Sequence, residues 1–454
     1  MTTEQPHPPP SGSAPPSPGS APPPASGSTP PPPRLTRSPF ESETFTSATF
    51  VTVGNGPLLA LATVWVITRA GMLLLLLKDG LGIGGVGREV YLLYRHWYAQ
   101  FAGGSFPVGD PAWQYPPGAG LVIMSPGVLP WLSYFQAFVV LTLLADALVA
   151  FALARADQER LTHGAWVWVC GLPLLLHVPL ARYDVQATAL AVLALLALKR
   201  PRSRAAHRIG GALAGLGALV KVWPLLTLIG TPRGRTSREA WTAAAVTAGA
   251  LLGVLTLSFT GPLAFLREQG GRGVQIESLG GTVLALARAT GVWSGTVDLR
   301  HGALEYLGPY VSSFGYLSLL LTVVTCGWLL LWRLRARHWT PATPLDAALA
   351  AVLLLTVTSR VLSPQYMVWL LGLGAVCLTS RATVMRPVVL LLLPAAALSS
   401  LTYPVLYADV IAGTLPGLAV PALRNALLLA AALLAARRLW TATVTPEPEP
   451  ADVT

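Results

Sequence analysis

Charged side chains are scarce along this chain of 454 residues. Only 11% of the residues are charged, whereas 53% are hydrophobic and the mean hydropathy is +0.57. A soluble domain carries about 25% charged residues. Because the deficit extends over the whole length, it excludes a series of soluble domains and predicts an all-α polytopic membrane protein.

Cysteine is also scarce, and the sequence has no cluster of metal-binding side chains. Cys170, Cys326 and Cys377 fall within apolar runs and have neither metal-site nor redox spacing. We interpret them as small packing residues. The sequence therefore predicts no metal and no other cofactor.

Lysine is rare, so the net charge of +11 comes almost entirely from arginine. In a soluble protein this charge would suggest nucleic acid as a partner. In a membrane protein the basic residues instead hold cytoplasmic loops on the inner side. We therefore expect membrane lipids, and no nucleic acid, around the chain.

The first segment is rich in proline and poor in apolar residues. Fifteen of the first 40 residues are proline, and such a segment cannot bury enough apolar surface to fold. We predict a disordered cytoplasmic tail over residues 1–45, a membrane domain over 46–440 and a second disordered cytoplasmic tail over 441–454.

Apolar runs of spanning length recur along the rest of the chain. About 20 apolar residues cross a bilayer, and the candidate spans are 57–77, 133–154, 162–180, 185–199, 209–230, 240–260, 311–333, 345–358, 366–380, 387–403 and 415–436. Basic clusters at alternate span ends place both termini inside and the loop containing Glu89 outside. Run 209–230 has basic clusters on both flanks and Pro224 within it, which predicts a re-entrant hairpin of two short helices.

Polar and aromatic side chains gather at the span ends predicted to lie outside. They lie in loops 88–115, 181–184, 271–278 and 359–366. A carboxylate there can accept a proton from a hydroxyl, and the candidates are Glu89, Asp110 and Asp184. The alternative is a structural role, in which each carboxylate pairs with a nearby arginine and fixes a loop.

Arginines in the same loops have the fork geometry that suits phosphate. The candidates for a phosphate site are Arg182, Arg272 and Arg360, and the alternative for each is contact with lipid headgroups. Arg69, within the first span, needs a partner or water, and so does Lys221. Trp113 and Tyr115 could stack on a sugar, or belong to an interfacial aromatic belt.

These residues carry a resemblance to glycosyltransferase family 87, which includes polyprenol-phosphate-mannose-dependent mannosyltransferases. The similarity covers about residues 57–436 and rests on the order and spacing of several short motifs. These motifs are Glu89 with Tyr91 and Tyr94, Gly104 to Pro107, Asp110, Trp113 to Pro117, Arg182 to Asp184, Val220 to Pro224, Arg272 to Ser278, and Ser363 to Tyr366. The resemblance implies a C-type glycosyltransferase fold of about 11–13 membrane helices, with short interfacial helices in the first outer loop.

The resemblance also implies a function and a set of site residues. The expected enzyme of the bacterial plasma membrane moves a sugar, mannose by default, from a polyprenyl-phosphate donor to an envelope glycolipid or glycan. The transfer is inverting and metal-independent, on the extracytoplasmic side. Many family members have Asp where this chain has the presumed base, Glu89. The expected donor-phosphate residues are Arg272, Arg360, Arg182 and Lys221, and those for sugar or acceptor are Trp113, Gln114, Tyr115, Gln275, Glu277, Ser278, Gln365 and Tyr366.

Two other classes of function remain open from the residues. A transporter or flippase for a lipid-linked sugar would use a polar path at mid-membrane depth, through Arg69 and Lys221. A non-catalytic scaffold of an envelope assembly complex would use the proline-rich tail for docking.

Overall fold

Helices follow the apolar runs of the sequence. The computed structural model describes residues 55–156, 163–200, 203–268 and 272–445, so the predicted tail 1–45 and most of the tail 441–454 lie outside the described residues. The helices are α1 Asn55–Lys78, α2 Arg95–Ala102, α3 Ala119–Met124, α4 Tyr134–Ala156, α5 His163–Gly171, α6 Asp184–Leu198, α7 Arg204–Val220, α8 Arg235–Ser258, α9 Phe265–Glu268, α10 Leu279–Ala289, α11 Val311–Arg335, α12 Thr343–Thr358, α13 Tyr366–Cys377, α14 Arg386–Ser400, α15 Tyr407–Ala412 and α16 Leu415–Thr443.

Short helical turns and three strands complete the architecture. The π-helical turns are Glu89–Tyr94 and Leu401–Val405, and the 3₁₀ turns are Ser125–Val128, Leu172–Leu175, Val178–Ala181 and Trp223–Leu228. The strands are β1 Val274–Gln275, β2 Thr296–Arg300 and β3 Ala303–Leu307, in the antiparallel order β1-β3-β2.

Within the described ranges, six helices are long and apolar enough to cross a membrane, namely α1, α4, α8, α11, α14 with its continuation to Val405, and α16. Six shorter apolar helical segments of 10–17 residues accompany them. Helices α12 and α13 are almost wholly buried, whereas α1, α8 and α11 expose most of their apolar side chains. The predicted fold class, an all-α polytopic membrane protein, is confirmed.

Run 209–230 does not form one continuous helix. Helix α7 ends at Val220, the backbone is extended at Lys221, and Pro224 lies in the following 3₁₀ turn. The Arg204 Nε and Glu239 Oε1 atoms, near the starts of α7 and α8, are 3.8 Å apart. The chain therefore returns to the end at which α7 began, as the re-entrant prediction required.

Glycine lets α7 pack closely on α8. A Cβ atom at Gly211 would collide with the carbonyl oxygen of Ala240, and one at Gly215 would collide with that of Ala244. Helices in lipid have no hydrophobic driving force that brings them together. Close contact between their backbones therefore supplies the packing energy.

The basic clusters predicted to be cytoplasmic meet at one end of the helices. Arg233 donates to the carbonyl oxygen of Arg333 at 2.5 Å, and Lys199 donates to that of Thr379 at 2.6 Å. Together with the Arg204–Glu239 pair, these contacts gather the ends of α6, α11 and α13 and the starts of α7 and α8.

The charge inside the first span is neutralised by a partner. Arg69 of α1 is 2% exposed, and its Nε and Nη2 donate to the two oxygens of Asp146 of α4 at 2.8 and 2.9 Å. Trp65 and Trp168 also donate to Asp146 at 2.7 Å. Arg69 therefore belongs to a satisfied structural pair.

The sheet is an element that the sequence analysis did not predict. Strands β2 and β3 form a hairpin whose two-residue loop is His301 and Gly302, both at positive φ (52° and 72°). Two-residue hairpins prefer this backbone because its twist matches that of the strands. Gln275 of β1 lies opposite Glu305 of β3.

Candidate functional site

A cavity of about 370 Å³ opens at the end of the helices that carries the polar loops. The polar side chains that line it are Glu89, Gln114, Lys221, Arg272, His301, Thr356, Ser359, Arg360, Ser363 and Gln365. Its aromatic side chains are Tyr115, Trp223, Tyr366 and Trp369. Residues from five separate segments thus converge on one space; they include the predicted loops 88–115, 271–278 and 359–366, but not loop 181–184.

Glu89 faces the cavity from the π-helical turn that it begins. Its side chain is 23% exposed; Oε2 lies 2.8 Å from Arg182 Nη2, and Oε1 accepts from the Tyr94 hydroxyl at 2.9 Å. The wider i→i+5 winding brings residues 89 and 94 together, and such turns often occur at functional sites. Arg182 is buried behind Glu89 and does not line the cavity.

The loop before Glu89 is fixed by Asp79, which sequence reasoning missed. Asp79 accepts from the backbone amides of Val86 and Gly87 at 3.1 and 3.0 Å. The imidazole of His177 lies 3.0 Å from the same carboxylate. Burial lowers the pKa of His177, while its hydrogen bond to Asp79 works in the opposite direction. An acid directly after α1, before a run of glycines, was the available signal.

Lys221 reaches the cavity from the helix break, paired with Asp184 at the start of α6. The Lys221 Nζ and Asp184 Oδ1 atoms are 2.6 Å apart, and Trp369 Nε1 donates to the same oxygen at 2.6 Å. Asp184 is 1% exposed and is not among the lining residues. Its carboxylate therefore holds Lys221 in place and does not itself face the cavity.

Arg272 and Arg360 form the positive wall of the cavity. Burial and the neighbouring Arg272 guanidinium lower the pKa of Arg360. Glu305, which sequence reasoning also missed, lies 3.7 Å from Arg272 Nε. The forked guanidinium groups of Arg272 and Arg360 both line this wall, and such groups suit the geometry of a phosphate.

A second cavity of about 620 Å³ adjoins the first and opens along α11. Its walls are the α11 residues Val311, Ser312, Gly315, Tyr316, Ser318, Leu319 and Thr322, together with the hairpin. The two cavities share Arg272, Ser359 and Arg360 as lining residues. The positive wall is therefore open to both.

The first outer loop supplies one cavity wall and its support. Gln114 and Tyr115 line the cavity. Burial raises the pKa of the Tyr115 hydroxyl above its usual range. Asp110, a candidate base, accepts from Trp97 Nε1 at 2.7 Å and from the Ala112 amide at 2.9 Å, and it does not line the cavity. Trp113 is buried among aromatic rings.

Three residues expected to bind sugar or acceptor lie behind the wall. Gln275 accepts from the Leu362 amide at 2.9 Å and donates to Ser363 at 3.2 Å, so it positions loop 359–366. Glu277 is buried 3.1 Å from Arg424, and burial raises its pKa to about 7 against the influence of that arginine. Ser278 caps α10 through the Gly281 amide. The side chains of these three residues make structural contacts and do not line the cavity, whereas Gln365 and Tyr366 do line it.

His301 and Glu305 are cavity-region residues that motif reasoning could not supply, because no motif contained them. The available signal was a His-Gly pair between two alternating segments, which is a hairpin pattern. Among the described residues, no group of three or more His, Cys, Asp or Glu side chains is arranged to hold a metal ion.

Comparison with known proteins gave one match. The family model described as glycosyltransferase family 87 matches residues 113–364, which is just over half of the chain. No curated protein and no solved structure matches the chain. The matched range contains Tyr115, Lys221, Arg272 and Arg360 of the cavity, and Glu89 precedes it.

Proposed function

The chain belongs to glycosyltransferase family 87, and from that membership we propose that this membrane glycosyltransferase uses a polyprenyl-phosphate sugar. The sugar, mannose by the family's default, passes to a hydroxyl of an envelope glycolipid or glycan with inversion. The observation that carries the proposal is the cavity that joins Glu89 to the Arg272–Arg360 wall.

Glu89 is the proposed base. Among the described residues that line the cavity, it alone is a carboxylate. Arg182 Nη2 lies 2.8 Å from its Oε2 atom and holds the side chain at the cavity wall. A general base must come within hydrogen-bonding reach of the proton it removes. Asp110 and Asp184 are occupied with loop amides, tryptophan side chains and Lys221 outside that lining.

Arg272 and Arg360 are the proposed donor-phosphate residues. The cavity along α11 leads from a helix with extensive apolar exposure to these two guanidinium groups. A lipid tail in that cavity would bring its phosphate to the positive wall and its sugar into the first cavity. Preorganised cations stabilise the charge that develops on the departing phosphate. Lys221 and Tyr115 then face the sugar or the acceptor.

The side of the membrane follows from charge. The cavity lies among the loops opposite the end at which Arg204, Arg233 and Lys199 gather. Because basic loop residues are retained inside, we place both termini in the cytoplasm and the reaction on the outer side of the plasma membrane.

The transporter alternative has less support. Arg69 and Lys221, the residues of its polar path, each pair with a buried carboxylate. The test is to reconstitute the full chain in vesicles with labelled polyprenyl-phosphate mannose and a lipid extract as acceptor. New glycosidic product supports transfer, and movement of label across the bilayer without product supports the flippase.

Glu89→Gln tests the base in the same assay. We expect it to abolish transfer while the protein still folds, because Arg182 keeps its hydrogen bonds to the carbonyl oxygens of Val86 and Ala181. Glu239→Gln, which removes the same charge at the opposite end of the protein, is the matched control and should transfer normally. Full activity of Glu89→Gln would refute the assignment.

A further inference from the structure

Three buried polar atoms without hydrogen-bond partners meet beneath the turn of the β2–β3 hairpin. They are Arg272 Nε, His301 Nδ1 and Glu305 Oε1. Glu305 Oε1 lies 3.4 Å from His301 Nδ1 and 3.7 Å from Arg272 Nε. Unsatisfied buried groups are rare and call for an explanation. Catalytic hydrogen bonds are often long without ligand and tighten when substrate binds.

Glu305 is anchored, so it can orient the side chains of both Arg272 and His301. It is 1% exposed, and its Oε2 accepts from the Gly273 amide at 2.8 Å. Its position in β3 is fixed by pairing with Gln275 on one side and Asp298 on the other. One carboxylate on a paired strand therefore faces Arg272 and His301 at once.

The backbone places the imidazole over the cavity. His301 has φ of 52°, a region that non-glycine residues seldom adopt, and Gly302 follows at 72°. A Cβ atom at Gly302 would lie 3.7 Å from Ala112, so the turn rests on the first outer loop. His301 lines the cavity with Nδ1 turned towards Glu305. Its other ring nitrogen is therefore the one left for a ligand.

The charges around the turn favour an anion. Arg272 and Arg360 stand beside His301 in the lining, and the Glu305 carboxylate faces Arg272 and His301. The remaining charged side chains of the hairpin, Arg300 and Asp298, pair with each other on the exposed face.

We propose that His301 is a further catalytic residue, which binds the donor phosphate with Arg272 and Arg360 while Glu305 positions its ring. This inference rests on the proposed function for the identity of the anion. A protonated imidazole donates from both nitrogens. Nδ1 then bonds Glu305, and Nε2 bonds an oxygen of the phosphate.

The role of His301 is to stabilise charge without moving a proton. The bond between the anomeric carbon and the phosphate oxygen breaks, and its electron pair stays on that oxygen. The acceptor oxygen forms the new bond to carbon, and its proton passes to Glu89. The charge gained by the departing phosphate is met by Arg272, Arg360 and His301.

The experiment measures binding of farnesyl phosphate, a short polyprenyl phosphate, to the purified full chain by titration calorimetry. The variants are His301→Asn and Glu305→Gln. Asparagine tolerates the left-handed backbone, so His301→Asn keeps the turn and removes the imidazole. Farnesol, which lacks the phosphate, controls for the lipid tail. His338→Asn removes an imidazole at the opposite end of α11.

We expect His301→Asn to weaken farnesyl phosphate binding by about tenfold or more, as loss of one charge-assisted hydrogen bond would. The rate of sugar transfer should fall as well. Farnesol binding and the midpoint of thermal unfolding should not change, and His338→Asn should match the wild type. Glu305→Gln should weaken phosphate binding less than His301→Asn.

The outcomes separate this inference from the proposed function. If His301→Asn binds farnesyl phosphate and transfers sugar as the wild type does, the role of His301 is refuted and the proposed function stands. If the phosphate loses affinity in His301→Asn but the wild type transfers no sugar, the phosphate site stands and the glycosyl transfer is refuted. If the wild type does not bind farnesyl phosphate, both are refuted.

Discussion

Asp184→Asn should destabilise the protein more than Glu89→Gln, whose main effect should be loss of transfer. Asp184 is 1% exposed and holds Lys221 and the Trp369 indole, each at 2.6 Å. Removing one partner of a buried ion pair costs about 3–5 kcal/mol, because the other charge is left buried and unpaired. Lys221 keeps a side-chain exposure of 10%, so we expect a loss near the lower end, about 3 kcal/mol.

The assay compares thermal unfolding in detergent with single-turnover transfer for each variant. Asp184→Asn should lower the unfolding midpoint. The double variant Asp184→Asn, Lys221→Met should recover much of the loss, because neither position of the former ion pair then carries a charge. Glu89→Gln should lower the midpoint less, because Arg182 keeps its hydrogen bonds to the carbonyl oxygens of Val86 and Ala181. An Asp184→Asn protein with wild-type stability and no transfer would refute this reasoning and make Asp184 the base.

Three further predictions concern the phosphate wall, pH and helix packing. Arg360→Ala should weaken farnesyl phosphate binding about tenfold by removing a charged hydrogen-bond donor, and calorimetry showing unchanged affinity would contradict its role. Burial lowers the pKa of His177 below its value of 6.5 in the unfolded chain, so folding favours the neutral imidazole. The free energy of unfolding should therefore fall as the pH drops below about 6.5. His177→Gln should flatten that dependence, which unfolding midpoints measured between about pH 5 and 7 would check. Gly211→Val should destabilise the contact between α7 and Ala240 of α8 by about 1–3 kcal/mol, measured by thermal unfolding against Gly249→Val, where the added Cβ meets open space.

The membrane helices were predictable because hydrophobicity alone determines them. The predicted span 311–333 corresponds to α11, Val311–Arg335, and the span 133–154 to α4, Tyr134–Ala156. The re-entrant segment was predictable from two local signals, the basic flanks and Pro224. The hairpin Thr296–Leu307 was missed because short alternating strands give a weak signal within a strongly apolar chain.

The site was predictable as a set of loops but not as a set of roles. Asp184 lies 37 residues from Lys221, and Glu277 lies 147 residues from Arg424. Which carboxylate is paired and which faces a cavity depends on contacts of this length. The sequence therefore put Glu89 first but left Asp110 and Asp184 open as alternatives, and burial separates the three side chains.

The shared wall of Arg272, Ser359 and Arg360 has a kinetic consequence. The two cavities are lined by different residues except for these three, which line both. A lipid donor that occupies the α11 side leaves the Glu89 side accessible, so both substrates can be bound before either product departs. Initial velocities measured at several concentrations of each substrate should then give intersecting double-reciprocal lines, the pattern of a ternary complex. Parallel lines would instead indicate that the sugar is first transferred to the protein itself.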